Sequence, residues 1–243
     1  MDRIMLGLNM VVGKEVMMKG PPLEALYFQG GRVGSLITLT DSEGNDFRGR
    51  VVTLTEREAT VFVFEAFPSS TESFLEIILL QALPEKERME WIIQKATELG
   101  VSTILPFQSD RSISLWERET KQKKAHRWQH IALKAVRQSR RAKVPYVGEC
   151  RIFQEVLEDC REEGVKILLW EKEGEHLRTV LRQHPAQRIY VMVGPEGGFA
   201  EAEVKLAKGE GFIPVKFGQR ILRTETAAIT MVGILQYELG DLS

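Results

Sequence analysis

Two glycine-containing segments in the last third of the chain most constrain its fold. The first spans residues 191–199 with the sequence VMVGPEGGF, and the second spans residues 218–228 with the sequence GQRILRTETAA. Each follows an apolar stretch typical of a buried strand and precedes residues that can begin a helix. Three glycines within 194–198 permit positive φ and leave room for a ligand beside the backbone. Two such junctions lying side by side predict a binding crevice at the carboxyl edge of a parallel sheet.

The region that contains these segments alternates between predicted strands and helices. Parallel strands joined by helices give an α/β layer arrangement. A helix from 224 to 237 follows the second segment, with Thr224 to Thr226 as candidate caps. The predicted strands are 75–83, 103–107, 165–170, 191–193 and 213–217, with a short segment at 144–147, and the other predicted helices are 85–99, 115–138 and 153–163.

Residues 1–70 follow a different pattern, with short strands separated by turn residues. Residues 36–40 alternate in polarity and end in a turn at 41–46, and a second predicted hairpin joins 50–55 to 59–65. Several short strands at this spacing indicate a small β-barrel. The polar segment 68–73 is the expected linker to the α/β region.

Composition is that of a globular protein, with 43% hydrophobic and 28% charged residues. No apolar run approaches the roughly 20 residues of a membrane span. Residues 1–5 lack the features of a signal peptide, which predicts a cytoplasmic protein without a membrane partner. Cys150 and Cys160 are expected to be reduced and structural, and no metal is expected because the cysteines show no ligand-like spacing with histidine.

Charge is distributed unevenly, although the net charge is only −1. Residues 110–143 contain eleven Lys and Arg against three acids, so the rest of the chain is acidic. This asymmetry is typical of a phosphate-binding surface, although a solvated helix face is the alternative. The sequence therefore indicates an RNA-facing segment, and the candidate RNA-binding residues are Lys121, Lys123, Lys124, Arg127, Arg137, Gln138, Arg140 and Arg141.

The two glycine-containing segments, VGPEGGF and GxRILRxETA, resemble motifs of the SPOUT class of S-adenosylmethionine-dependent RNA methyltransferases. More narrowly, they are similar to the RsmE family, which methylates N3 of a uridine in bacterial 16S rRNA. The resemblance covers residues 74–238 and includes two further pieces, 96–106 and 138–145. It implies a SPOUT domain over 74–243 with a mostly parallel sheet and a deep trefoil knot, and a PUA-like β-barrel over 1–70 that binds RNA.

The resemblance implies S-adenosyl-L-methionine as the cofactor, held largely by the backbone of two loops. Leu169 is expected from topology to belong to a third wall formed by the end of the 165–170 strand. Phe217 stands where the family has a leucine, a change that backbone contacts tolerate. Neither a dinucleotide-binding fingerprint nor a Walker loop fits the glycines. The expected cofactor-binding residues are Leu169, Gly194, Pro195, Glu196, Gly197, Gly198, Phe217, Gly218, Ile221, Leu222 and Thr226.

Arg223 and Arg141 are the candidate catalytic residues, because a cation beside the uracil carbonyls would stabilise negative charge on N3. An arginine at a helix N-terminus opposes the helix dipole, so Arg223 needs an electron-rich partner. That partner is the substrate or, alternatively, Glu225 or a second subunit. The acid that leads the family's 138–141 motif is replaced by Arg137, and no general base is evident.

The implied partners are 16S rRNA within the assembled small subunit and a second copy of the chain. The resemblance places Ala227, Ala228, Met231 and Leu235 of the last helix at the dimer contact. A SPOUT methyltransferase acting on tRNA or 23S rRNA is one alternative function, and a non-catalytic protein of ribosome assembly is another. The N-terminal region lacks the family's paired histidines, and Gly30 stands where the family has an arginine.

Overall fold

The computed structural model describes residues 4–67, 72–112 and 125–242. The chain divides into two compact units, residues 1–72 with 140–144 and residues 73–139 with 145–243. The boundary between residues 72 and 73 falls within the expected linker at 68–73. The return of residues 140–144 to the first unit was not predicted. Two polar side chains of the first unit explain that return, because Thr38 and Arg48 donate hydrogen bonds to the carbonyls of Ala142 and Arg141.

The first unit is built on a five-stranded sheet with the order β1-β3-β4-β5-β2. Asp41 closes the β3–β4 turn, where Oδ1 accepts the backbone N–H groups of Glu43 and Asn45 at 2.9 and 2.8 Å. Among the described residues, β1 and β2 form the two edges, so the sheet is curled but is not closed into the expected β-barrel. The elements are β1 (Ile4–Met5), β2 (Glu15–Met18), α1 (Pro21–Phe28), β3 (Leu36–Thr40), β4 (Asp46–Leu54) and β5 (Ala59–Phe67).

The second unit contains a parallel sheet with the order β12-β10-β11-β6-β7-β8, and β9 also pairs with β7. The α/β prediction with a parallel sheet is therefore confirmed. The strands are β6 (Glu76–Ala82), β7 (Thr103–Gln108), β8 (Tyr146–Val147), β9 (Arg151–Ile152), β10 (Val165–Leu169), β11 (Arg188–Val193) and β12 (Ile213–Val215). The helices are α2 (Lys86–Glu98), α3 (Ala125–Ser139), α4 (Phe153–Glu158), α5 (Leu177–Gln183), α6 (Glu201–Gly209) and α7 (Thr224–Leu239).

Helices cover both faces of this sheet, because successive side chains of a strand point to opposite faces. Ile77 and Leu79 of β6 pack in a core with residues of α2, α3, α5 and α7. Ile78 and Leu80 pack in a second core with residues of α4 and α6. Both faces of β6 are therefore buried, which explains why its sequence is continuously apolar.

The inner side of α7 belongs to the first of these cores. Ala228, Met231 and Leu235 are fully buried there within the chain itself, while Ala227 is half-buried. These three residues cannot form a subunit contact, so their expected place at a dimer interface is wrong. The side of α7 that stays accessible carries Thr230, Ile234 and Tyr237 instead.

Several predicted bounds differ from the structure. The helix expected over 153–163 ends at Glu158, and the strand expected over 213–217 ends at Val215. Residues 115–124 of the helix expected over 115–138 lie outside the described residues, and its remainder belongs to α3. Helices α1 and α5 were not predicted, whereas α6 begins where a helix start was expected after the first glycine-containing segment. Pro21 and Pro22 at the start of α1 were a usable signal, since proline is favoured in a first helical turn. Among the described residues, no helix is both long and apolar enough to cross a bilayer.

Candidate active site

A cavity of about 660 Å³ lies at the carboxyl ends of β10, β11 and β12. Its volume suits a small organic ligand. The expected residues Leu169, Phe217, Ile221 and Leu222 line it together with the glycine loop 194–198. Among the described residues, the lining is Arg88, Leu169, Trp170, Glu171, Val193, Gly194, Pro195, Glu196, Gly197, Gly198, Phe199, Lys216, Phe217, Gly218, Gln219, Arg220, Ile221, Leu222, Arg223, Thr224 and Ala227.

Strand β10 lies between β11 and β12 at this edge. The two strands that lead into the glycine-containing segments were expected to lie side by side, but they are separated by β10. Ile167 of β10 pairs with Val191 of β11 on one side and with Ile213 of β12 on the other. The two motif loops therefore flank the end of β10, where Trp170 and Glu171 follow Leu169. The end of β10, which topology alone predicted as a third wall, therefore lies in the middle of the cavity edge.

The glycine loop is a tight turn with little space for a side chain at Gly197 or Gly198. The N–H of Gly198 donates to the carbonyl of Pro195 at 2.9 Å, and Gly198 has a φ of 66°. A Cβ atom on Gly198 would lie 3.1 Å from Oε1 of Glu171, and one on Gly197 would lie 3.1 Å from Cβ of Arg111. The loop therefore requires glycine both for its backbone conformation and for its close approach to two side chains.

Thr224 ties the first turn of α7 to the glycine loop. Its hydroxyl donates to the carbonyl oxygen of Gly194 at 2.6 Å and accepts a hydrogen bond from the side-chain amide of Gln81 at 3.0 Å. Arg223 is the N-cap residue, and no side chain caps this helix. The expected capping role is therefore wrong for Thr224, and its side chain instead joins β6, the glycine loop and α7.

Arg88 of α2 lines the cavity, but it was not predicted as a site residue from the sequence. Its guanidinium donates to Oε1 of Glu196 at 2.8 Å, and its Nε lies 3.9 Å from Oε2 of the buried Glu225. Oε1 of Glu196 also accepts the backbone N–H of Glu85 at 3.0 Å. The side chain of Glu196 is therefore engaged with α2. Arg88 lies in a helix with no glycine motif, so its place in the sequence gave no sign of this network.

The second loop differs from the first in having open space around its glycine. Gly218 has a φ of 80°, and a Cβ atom there would meet nothing within 4 Å. Ile221 is 87% exposed at the cavity wall, while Phe217 packs partly against the core of the sheet. Thr226 is exposed and is absent from the cavity lining, so the structure does not bring it together with the other expected residues.

The two candidate catalytic arginines have different surroundings. Arg223 is exposed and lines the cavity, and Glu225 pairs with Arg88, not with Arg223. Arg141 is buried and forms an ion pair with Glu72 at 2.7 Å within the first unit. Its side chain is 6% exposed, which favours a structural role over contact with a substrate.

The expected RNA-binding residues are only partly described. Lys121, Lys123 and Lys124 lie outside the described residues. Arg127, Arg137 and Gln138 are exposed on α3, and Arg140 is exposed with a φ of 58°. Arg127 also pairs with Glu90 at 2.8 Å, so one of these cations is engaged within the chain.

The chemical character of the cavity fits a small ligand that has both polar and apolar parts. Backbone groups of two loops can hold polar atoms, Leu169 and Ile221 offer apolar surface, and Glu171 supplies a carboxylate beside the glycine loop. In the described part of the chain, no group of three or more His, Cys, Asp or Glu side chains could hold a metal ion.

Comparison with known sequences gives one consistent family. A model described as an RNA methyltransferase domain matches residues 71–236. The ribosomal RNA small subunit methyltransferase E of Bacillus subtilis (strain 168) is 30% identical over 211 residues, which cover 84% of this chain and 82% of that relative. The protein of the same name from Aquifex aeolicus (strain VF5) is 30% identical over 230 residues, which cover 86% and 98%.

Solved structures give the same assignment. The ribosomal RNA small subunit methyltransferase E of Neisseria gonorrhoeae, bound to S-adenosyl methionine, has a TM-score of 0.71 and 33% identity, with all of both chains covered. A putative methyltransferase of Legionella pneumophila in complex with the same cofactor has a TM-score of 0.70 and 29% identity over 99% of this chain and 98% of that one. The chain therefore belongs to the RNA methyltransferase family, within the group named ribosomal RNA small subunit methyltransferase E.

Proposed function

We propose that this protein transfers a methyl group from S-adenosyl-L-methionine to N3 of a uridine in 16S rRNA. The observation that carries the proposal is the cavity at the ends of β10, β11 and β12, which is formed by both motif loops. Relatives that share the fold over the full chain are bound to this cofactor. The choice of N3 rests on the resemblance of the two loops to the RsmE motifs.

The residues at the cavity fit the cofactor. Glycine at 198 keeps a Cβ atom away from Glu171 of the cavity lining, so a ligand can approach the backbone there, while glycine at 197 leaves room for Arg111 behind the loop. Glu171 places negative charge near the loop, which suits a ligand with a sulfonium and an ammonium group. Apolar side chains of Leu169 and Ile221 can pack against the adenine ring. A cavity of about 660 Å³ is large enough for the whole cofactor.

The bound cofactor supplies an electrophilic methyl group, and the protein must supply a nucleophilic N3 in line with it. The N3 of uracil carries a proton at neutral pH, so methylation requires that proton to leave. Arg223 lies at the cavity with its guanidinium free of Glu225, where it can stabilise negative charge spread over N3 and the adjacent carbonyls. Positioning of the two reactants supplies a further part of the rate enhancement.

RNA binding is proposed for the basic surface of α3 and the residues before it. Arg127, Arg137 and Gln138 are exposed on this helix, and the 110–143 segment holds a large excess of cations. Phosphate neutralisation by such a surface supplies affinity without sequence preference. Recognition of the assembled small subunit, and the cytoplasmic location that this substrate requires, are parts of the same proposal.

A homodimer is proposed through the accessible side of α7. Ile234 is half-buried and Tyr237 is 61% exposed on this side, next to the small residues Ala227 and Thr230. Small residues allow two helices to approach closely, while the aromatic ring of Tyr237 offers apolar area to a partner.

The deep trefoil knot and the PUA-like character of the first unit likewise stay predictions from the family resemblance.

Loss of the gene tests the proposed function in the cell. The 16S rRNA of a deletion strain should lack a 3-methyluridine that is present in the parent strain and returns with a plasmid copy of the gene. A plasmid copy with Gly197→Val should not restore the modification, because the branched side chain pushes against Arg111 and displaces the loop that lines the cavity. Unchanged 16S rRNA modification in the deletion strain, with a new deficit in tRNA or 23S rRNA, would move the substrate to that RNA.

A further inference from the structure

Glu203 of α6 is a buried carboxylate that holds the turn after β7. It is 3% exposed, and its Oε2 accepts the hydroxyl of Ser109 at 3.1 Å and the backbone N–H of Ala200 at 2.9 Å. Its Oε1 accepts the backbone N–H of Asp110 at 3.0 Å. One side chain thus satisfies three donors and fixes the 109–112 turn against the start of α6.

Arg111 extends this arrangement to the glycine loop. Its guanidinium NH1 donates to the carbonyl oxygen of Gly197 at 2.8 Å. The stem of the same side chain packs closely on Gly197, because a Cβ atom there would lie 3.1 Å from Cβ of Arg111. Gly197 lines the cavity, whereas Arg111 and Glu203 do not. Arg111 therefore supports the loop from the side that faces away from the ligand.

We propose that Glu203 is a positioning residue for the cofactor. By fixing the 109–112 turn, Glu203 holds Arg111 against the carbonyl of Gly197 and keeps the 194–198 loop in the shape that receives the ligand. A loop that is already ordered loses less conformational entropy on binding, so its support raises affinity without touching the ligand. This inference rests on the proposed function, since the ligand is S-adenosyl-L-methionine.

Titration calorimetry of the full chain with S-adenosyl-L-methionine tests the inference. The Kd should rise about tenfold in Glu203→Gln, the factor that corresponds to loss of one hydrogen bond to a charged group. Arg111→Met, which keeps the packing stem and removes the donor, should raise the Kd similarly. Both changes interrupt the same chain of contacts. The Kd of the double variant should therefore be about equal to the larger of the two single-variant Kd values.

Glu210→Gln is the matched control. Glu210 is exposed at the C-terminal cap of α6 and loses the same charge, whereas Glu203 is buried in the first turn of that helix. Its Kd should match that of the wild type. Steady-state methyl transfer gives a second readout: Glu203→Gln should raise the KM for the cofactor and recover kcat at saturating cofactor, which a loss of folded protein would not produce. Arg111→Lys should restore part of the affinity lost in Arg111→Met.

The possible results separate this inference from the proposed function. Wild-type Kd values in both Glu203→Gln and Arg111→Met would overturn the inference, as would fully additive effects in the double variant. Thermal melting identifies a Glu203→Gln variant that fails to fold, in which case the Arg111 variants decide. No binding of S-adenosyl-L-methionine by the wild type would overturn both the proposed function and this inference.

Discussion

The hydroxyl of Thr224 donates a hydrogen bond to the carbonyl oxygen of Gly194 at 2.6 Å, so the final helix starts directly on the glycine loop. The side-chain amide of Gln81 donates to the same hydroxyl at 3.0 Å. Thr224 is 5% exposed and Gln81 is fully buried, so water has little access to these hydrogen bonds. The position of the first loop therefore depends on one threonine of the second motif.

Thr224→Val should weaken cofactor binding and lower the free energy of unfolding by about 1–3 kcal/mol, because valine keeps the volume but leaves buried polar groups without a partner. Thr226→Val is the control, since Thr226 is exposed in the same helical turn and is not part of the cavity lining. Denaturant unfolding and calorimetry measure the two effects. Equal losses in both variants would show that the Gly194 hydrogen bond has no special role.

Much of the second unit follows from sequence periodicity because its sheet is buried on both faces. The strand expected over 103–107 is β7, and the helix expected over 85–99 is α2 with one residue fewer at each end. Continuous apolar runs such as β6 are the expected pattern for parallel strands covered by helices. The two loops were found for the same local reason, since glycine is required where backbone and ligand approach closely.

The features that sequence reasoning missed depend on contacts between distant segments. Arg88 and Glu203 look like ordinary charged residues of amphipathic helices, and only the fold places them beside Glu196 and the 109–112 turn. Arg141 looked like an RNA contact because it lies in a basic segment, but its partner Glu72 is 69 positions away. Pairings over such distances have no periodic signal, so the ion pair between Arg141 and Glu72 could not be predicted from the sequence.

Arg223→Ala should reduce kcat by about 10²–10³, the usual cost of losing one group that stabilises a developing anion. RNA affinity should stay close to that of the wild type, because the proposed contact matters chiefly when N3 carries negative charge. Arg220→Ala removes the same charge from the cavity lining and should have a smaller effect on kcat. A variant Arg223→Ala with weaker RNA binding and normal kcat would assign Arg223 to phosphate binding.

Tyr237→Glu should convert the proposed dimer to monomers. A charge placed at this 61% exposed position would be buried without a partner in the dimer, whereas it stays in water in the monomer. Light scattering at micromolar concentration measures the change, and Lys205→Glu on the exposed side of α6 is the control. A wild-type protein that is monomeric and fully active would contradict the dimer.

Stability should fall as the pH rises from about 9 to about 12, in part because burial raises the pKa of the Cys160 thiol to about 12. The folded protein keeps the thiol proton in this range, whereas the unfolded chain releases it above the ordinary value of 9.0, so ionisation favours unfolding. Cys160→Ala should show a shallower loss over the same range, while Cys150→Ala should follow the wild type. Parallel curves for all three proteins, measured by denaturant unfolding, would contradict burial of the thiol.

Identification of the methylated nucleoside tests the central claim most directly. Purified protein would be incubated with small ribosomal subunits from the deletion strain and S-adenosyl-L-methionine that carries an isotope-labelled methyl group, and the 16S rRNA would be digested to nucleosides for mass spectrometry. The account predicts that the label appears in 3-methyluridine and that Arg223→Ala strongly slows its formation. Label in another nucleoside, or none in 16S rRNA from a preparation that binds the cofactor, would contradict it.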